Sequence, residues 1–324
     1  MRRIIQFIKE WTLPVSIATG SLLYLVFAFI PALDSAANFF APILDAALPL
    51  FMFLVLYVTF CKVDFRKLIP VGWHLWIALS QVLMVAVVIG AILFFHVTGK
   101  SLILLEALLT CIICPCASAA AVVTQKLGGN LEEMTTYTFL SNFLCALLIP
   151  VCFPLLDAEA DITFWSAFVA ILYKVCLVLV VPMILAYITK HWHTLCRFYQ
   201  WVISVSNLSY YLWGCSLLIV SGTTVKNIVH AEVAVSFLLL IAVLALILCL
   251  IQFAMGRYIG HFFRSTINAG QALGQKNTAF AIWIAYTYLN PLSTVGPGCY
   301  ILWQNIINSV EIWRYDHAIK RKNK

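Results

Sequence analysis

The sequence predicts an all-α membrane protein of ten transmembrane helices, laid out as two inverted five-helix repeats with helices 4 and 9 broken and crossed. Three observations predict it. Of 324 residues, 63% are hydrophobic and 10% charged, whereas soluble domains carry about 25% charged residues. The hydrophobic residues gather into ten long runs, each long enough for a ~30 Å hydrocarbon core, which ~20 helical residues cross. Two of those runs are interrupted, one at Pro115 and one around Gln275, 160 positions apart in the chain. Interrupted hydrophobic segments at matching places in two halves point to a site near the bilayer midplane.

Taken in order, segment one runs from Leu13 to Ile30, two from Ala41 to Phe60 and three from Val71 to Val97. Segment four covers Ser101–Gln125, five Leu131–Leu156 and six Phe164–Thr189. Seven covers Trp201–Thr224, eight Ala231–Met255, nine Ser265–Tyr288 and ten Thr294–Tyr315. The run from Leu13 to Leu33 is longer than a signal-peptide core of ~7–15 residues, so a membrane helix is expected there. The acidic connection Asp157, Glu159, Asp161 separates a first repeat, residues 1–156, from a second, residues 157–324. Five is odd, so the second set of five enters from the opposite side.

Basic residues set the orientation. Arg2, Arg3 and Lys9, the connections after segments two (Lys62, Arg66, Lys67), four (Lys126), six (Lys190, Arg197) and eight (Arg257, Arg264), and the tail (Arg314, Lys320, Arg321, Lys322, Lys324) share one side. The other side has Lys100 and Lys226 with the acidic connection. Both termini are therefore expected in the cytoplasm, with the chain integral to a plasma or inner membrane. The net charge of +7 is explained by this distribution, so nucleic acid is not an expected partner. The lipid bilayer is, and no protein partner is read from the sequence. The eleven cysteines mostly stand singly inside apolar runs, as small buried helix residues rather than a disulfide framework.

Pro115 has no N–H for the carbonyl of Cys111, and its ring clashes with that carbonyl, so segment four must break. Small residues from Ala117 to Ala121 let another backbone approach. In segment nine, Gly274 is suited to end the first half in a left-handed conformation, and Gly270 with Gly274 form a face that segment four could cross. Each break exposes carbonyls of one half-helix and amides of the next, with about half a charge at each end. Two crossed breaks thus offer places for a cation and for an anion.

The stretches Cys114-Pro-Cys-Ala-Ser-Ala-Ala-Ala-Val-Val-Thr124 and Gly274-Gln-Lys-Asn-Thr278 resemble the two crossover helices of the bile acid:sodium symporters. The resemblance implies a core domain of helices 3, 4, 5, 8, 9 and 10 rocking against a panel of 1, 2, 6 and 7. It places Cys114, Pro115, Cys116, Ser118, Gly274, Gln275, Asn277 and Thr278 at the crossover, beside substrate. It also places sodium ligands at Gln81 and Thr138 and at four positions where this chain departs from the pattern. The family's Ser-Asn pair becomes Ala120-Ala121, its glutamate becomes Ala272 and its glutamine becomes Lys276. A hard cation wants several oxygen ligands, so the sodium sites look dismantled. No cofactor is expected. Arsenite carriers, distant relatives, place a cysteine after the corresponding proline, and Cys116 matches it; no metal is expected unless a metalloid is the substrate.

Lys276 is the most informative residue, because an ionisable group at midplane depth is expensive and points to function. Its ammonium is expected where a sodium ion would sit, against half-helix carbonyls. A lysine reaching along a cavity to water, or a structural charge joining the breaks, are the other readings. Burial favours the neutral amine and carbonyl dipoles favour the ammonium, so both a permanently charged lysine and a proton-releasing one stay open. Asp45 and Lys174 are expected to pair, Glu106 to line an outer rim, and His74, His96 and His230 to lie at the interface. His191-Trp-His193 carries no metal-site spacing.

What the resemblance implies is a secondary carrier of an organic anion or amphipathic metabolite, without the usual two-sodium coupling. A sodium-independent or proton-linked carrier of the arsenite or auxin type is one alternative, and a membrane sensor that does not transport is another. No His-Glu-x-x-His, Gly-x-Ser-x-Gly or paired-aspartate motif occurs, so an enzyme is not expected.

Overall fold

A computed structural model of the chain describes residues 11–156, 164–205, 207–229 and 234–322. Fourteen α-helices occur among them. They are α1 (Thr12–Phe29), α2 (Asp34–Lys62), α3 (Gly72–Phe94), α4 (Gly99–Ile113), α5 (Ala120–Lys126), α6 (Leu131–Cys152) and α7 (Phe164–Val175). There follow α8 (Val181–His191), α9 (Cys196–Ser204), α10 (Leu208–Val229), α11 (Val235–Phe262), α12 (Thr266–Gly274), α13 (Thr278–Tyr288) and α14 (Val295–Lys322).

Among the described residues, six stretches are long and apolar enough to cross a bilayer as single helices: α1, Pro42–Lys62 of α2, α3, Leu131–Leu155 around α6, Leu208–Lys226 of α10, and α11. The other four expected segments depart from that pattern for visible reasons. Segments four and nine are broken, as α4/α5 and α12/α13. Segment six is interrupted by a wide π turn at Cys176–Val180, just before Pro182, a local irregularity that a hydrophobic run does not reveal. Segment ten lies in α14, which carries Gln304, Asn305, Asn308 and Glu311. Segment seven starts later than expected: Trp201 belongs to the separate short helix α9, and the chain turns through Asn207 at φ 59° before α10.

The chain forms two compact units. One holds α1, α2, α8, α9, α10 and α14 from Asn305 onward; the other holds α3–α7, α11–α13 and α14 up to Gln304. In the first, Gly20 of α1 lies directly against the Leu218 carbonyl of α10, a contact that leaves no room for a Cβ. The Tyr57 hydroxyl donates to Thr189 Oγ1 (2.8 Å) and Lys190 Nζ to the Val63 carbonyl (3.2 Å), tying α8 to the end of α2. The side chains of Asp45 and Lys174, and all of Asp157–Asp161 and His230, lie outside the described residues.

In the second unit, α11 and α12 pack closely because Gly256 and Gly260 face the Ala269 and Ser265 backbone. The Asn268 side chain accepts the Asn130 N–H (2.9 Å) and donates to the Asn130 carbonyl (2.7 Å), clasping α12 to the turn before α6. An apolar cluster containing Val85, Leu109, Ile113, Ile149, Phe153, Phe280 and Ile284 takes in Cys114 at the break in segment four. His74 is not exposed: it is buried in ring contact with Trp73 and Tyr137. Glu106 is not on a rim either; it is buried, and its carboxylate accepts the Asn290 N–H at 3.3 Å. Eight of the ten cysteines described are buried, Cys196 and Cys215 are exposed, and all ten are free thiols.

Candidate functional site

The site is built from what the proline leaves undone. A helix that stops must find donors for its last carbonyls, and in a buried place water cannot supply them. The Cys111 carbonyl, which Pro115 cannot serve, takes Gln252 Nε2 of α11 at 3.4 Å. The Ile112 carbonyl takes Lys276 Nζ at 3.1 Å. The Ile113 carbonyl takes Gln81 Nε2 of α3 (3.0 Å) and the Cys145 thiol of α6 (2.8 Å). The Cys114 carbonyl takes Gln81 Nε2 (3.1 Å) and Lys276 Nζ (3.3 Å). The carbonyls of the broken turn thus draw on four neighbouring elements, and Gln81 and Lys276 each serve two of them.

The two breaks pair with each other. Asn277 N–H donates to the Pro115 carbonyl and Ala117 N–H to the Gln275 carbonyl, both at 2.9 Å, so that Cys116 and Lys276 form a short antiparallel pair. Shifting Pro115 and Asn277 by 160 positions in opposite senses gives Gln275 and Ala117, so one bond is the counterpart of the other. The neighbouring amides follow suit. Cys116 N–H donates to Ser141 Oγ of α6 (3.1 Å), and Lys276 N–H to Gln304 Oε1 of α14 (2.8 Å). Gln304 Nε2 returns a bond to the Lys276 carbonyl at 3.1 Å. Asn277 caps α13 by accepting the Phe280 N–H at 3.2 Å.

Lys276 has 0% of its surface exposed, and so its charge cannot be hydrated. Its Nζ meets instead the Ile112 and Cys114 carbonyls, the negative end of a helix dipole. At the end of α4 the dipole provides about half a charge, which makes the carbonyl cluster a receptor for one cation.

Of the residues singled out from sequence, Gln81, Cys114, Pro115, Cys116, Gln275, Lys276 and Asn277 come together here, directly bonded to one another or to a shared carbonyl. Thr278 is buried and its N–H turns back to the Lys276 carbonyl. Ala120, Ala121 and Ala272 are buried and bring no side-chain oxygen. Thr138 spends its hydroxyl on the Met134 carbonyl of its own helix at 3.0 Å. Ser118 is half-buried. The Cys116 thiol points to the Ala117 carbonyl at 3.6 Å, and no group of three His, Cys, Asp or Glu among the described residues could hold a metal ion.

Two readings of the glycines are corrected. Gly274 is not left-handed: among the described glycines only Gly99 and Gly128 have positive φ. α12 does end at Gly274, but the chain leaves it through Gln275 in extended conformation. Gly274 is glycine because the Phe253 ring of α11 lies where a Cβ would be. Gly270 likewise faces Arg257 of α11, so the Gly270–Gly274 face receives α11 and not segment four.

Gln304, Ser141, Cys145, Gln252 and Tyr300, whose hydroxyl donates to the Gly274 carbonyl at 2.8 Å, were not anticipated. Each is a polar or thiol side chain in an apolar run, which is the available signal, but a run does not say which break it reaches. Gln304→Leu should leave the Lys276 N–H unpaired, at roughly 1–3 kcal/mol for a buried group, and leave the Lys276 carbonyl with the Thr278 N–H as its donor. The expected result is a lower melting temperature and a lower transport rate. Gln304→Glu, which keeps an acceptor for the N–H and loses the amide donor, should fall between; equal behaviour of the two variants would dismiss the clamp.

Residues 22–302, most of the chain, match the model of the SBF-like CPA transporter family. No curated protein matches the chain.

Proposed function

Since the chain belongs to the SBF-like CPA transporter family, it is a membrane transporter, and we propose that it carries a small organic anion or amphipathic metabolite by alternating access without sodium coupling. The membership agrees with the likeness of the Pro115 and Gly274–Thr278 stretches to the bile acid:sodium symporters. The single observation behind the coupling is Lys276 Nζ on the Ile112 and Cys114 carbonyls. A tethered ammonium fills the place where helix-end carbonyls would attract a free cation, and positions that could add oxygen ligands are Ala120, Ala121 and Ala272.

The ten-helix inverted repeat belongs to the same reading. It is supported by the reciprocal Pro115–Asn277 and Gln275–Ala117 bonds at the 160-position offset, and by the matching placement of Ser141 and Gln304. A core of segments 3, 4, 5, 8, 9 and 10 moving against a panel of 1, 2, 6 and 7 is the motion proposed; segments six and ten contribute to both compact units. Orientation follows the Lys and Arg distribution. Reporter fusions at either end should therefore read cytoplasmic, and a fusion in the Asp157–Asp161 connection should read external; an external terminus would remove the ten-segment count.

Flux of labelled anionic metabolites into proteoliposomes tests transport itself and separates a carrier from a sensor. A thermal-shift screen of the purified protein against the same compounds, in sodium and in choline, finds the substrate first, because any ligand of the folded state stabilises it by mass action.

A further inference from the structure

We infer that α9 is an interfacial helix whose aromatic and basic faces hold anionic phospholipid headgroups of the bilayer leaflet on the side of the Lys190 end of α8. The helix joins α8 to α10 and packs within its unit against α2 and α8. Its level is set by its neighbours. The apolar stretch Pro42–Lys62 ends where Lys190 bonds the Val63 carbonyl, and the apolar stretch beginning at Leu208 starts three residues after Val205. A nine-residue helix held between such ends stays at the surface of the hydrocarbon.

Its three faces differ in chemistry. Leu195, Tyr199 and Val202 turn toward the protein, with Val202 fully covered. Phe198 and Trp201 stack on one another at 5.9 Å and remain 47% and 56% exposed, and Trp192 just before them is 60% exposed. Arg197, one turn before Trp201, is exposed beside them, and Lys190 and Lys62 stand at the adjoining helix ends. Amphipathic aromatic rings favour the headgroup level of a bilayer. A basic residue there gains from anionic lipid, about fivefold in binding per charge. Alone, nine residues would bind weakly; tethering at both ends keeps the local lipid concentration high. The basic charge favours a lipid surface over a neutral protein partner. This inference rests on the membrane assignment and not on the transported substrate.

The test uses the full chain in vesicles of phosphatidylcholine with and without phosphatidylglycerol. Native mass spectrometry of protein extracted from the mixed vesicles should show phosphatidylglycerol retained over phosphatidylcholine. Arg197→Gln should lower that preference about fivefold, and Trp201→Ser should lower retention of both lipids, with melting temperatures unchanged because both side chains are exposed. Trp201 fluorescence, taken as the difference from Trp201→Phe, should be quenched by brominated lipid and shielded from iodide. Retention blind to headgroup charge, an undiminished preference in Arg197→Gln, or a Trp201 open to iodide in vesicles would each overturn the inference; the last would mark a face for a soluble protein. Uptake assays in the same vesicles report on transport separately.

Discussion

Replacing Lys276 with methionine is expected to lower uptake by ~100-fold or more while leaving the protein in the membrane. The side chain of methionine fills similar space but donates nothing, so the Ile112 carbonyl loses its Lys276 donor and the Cys114 carbonyl keeps only Gln81. A buried carbonyl left unpaired costs roughly 1–3 kcal/mol, and the helix end also loses the charge that balances its dipole. The unpaired Ile112 carbonyl and the lost charge are together enough for the stated loss if they act in the transport cycle. In the unmutated protein, exchanging sodium for choline should change ligand affinity by less than tenfold, ~1.4 kcal/mol. Lys276→Gln should not create sodium dependence, because Ala272, Ala120 and Ala121 still offer no side-chain oxygen. A tenfold tightening by sodium in the unmutated protein would refute the tethered-cation reading. Methylammonium offered to a Lys276→Ala protein should restore part of the uptake, since the carbonyl pair would again meet a cation. Uptake at full rate in Lys276→Met would reduce the lysine to a structural strut.

The second large effect is expected at Gly274. Gly274→Ala pushes a Cβ into the Phe253 ring, touching three of its carbons. The ring is buried and belongs to the helix most closely packed on α12, so it cannot swing aside freely. Overpacking of this kind costs typically 1–3 kcal/mol, read as a melting temperature lower by several degrees, and any displacement of α12 moves Gln275 and Lys276 with it. Phe253→Ala should rescue Gly274→Ala, because the two groups meet directly and their effects are not additive. This double variant separates two reasons for a glycine. If a left-handed backbone were the requirement, removing the ring would rescue nothing.

The membrane class, the positions of both breaks and the singular character of Lys276 were legible in the chain because each is a local property. Long apolar runs follow from the thickness of the hydrocarbon, and Pro115 breaks a helix whatever surrounds it. The spacing between Pro115 and Gln275 was legible for a related reason: each break shows locally in its own run, and the Asn277–Pro115 and Ala117–Gln275 bonds join the two. What the freed carbonyls would find was not legible. The donors come from Gln81, Cys145, Gln252 and Lys276 on four different elements, and only the packing of those elements selects them from the other polar residues of the runs. The same holds for errors of placement. His74 sits at the start of an apolar run, as an interfacial histidine would, yet Trp73 and Tyr137 enclose it. Gly274 stands where a helix ends, as a left-handed glycine would, yet Phe253 is the reason for it. A one-dimensional pattern records how polar and how bulky a residue is; which surface it faces depends on helix rotation and on the close approach of a partner distant in the chain. Tertiary structure decided that lysine, glutamine and thiol all turn toward one broken turn, because a buried carbonyl must find a donor and packing brings these ones within reach.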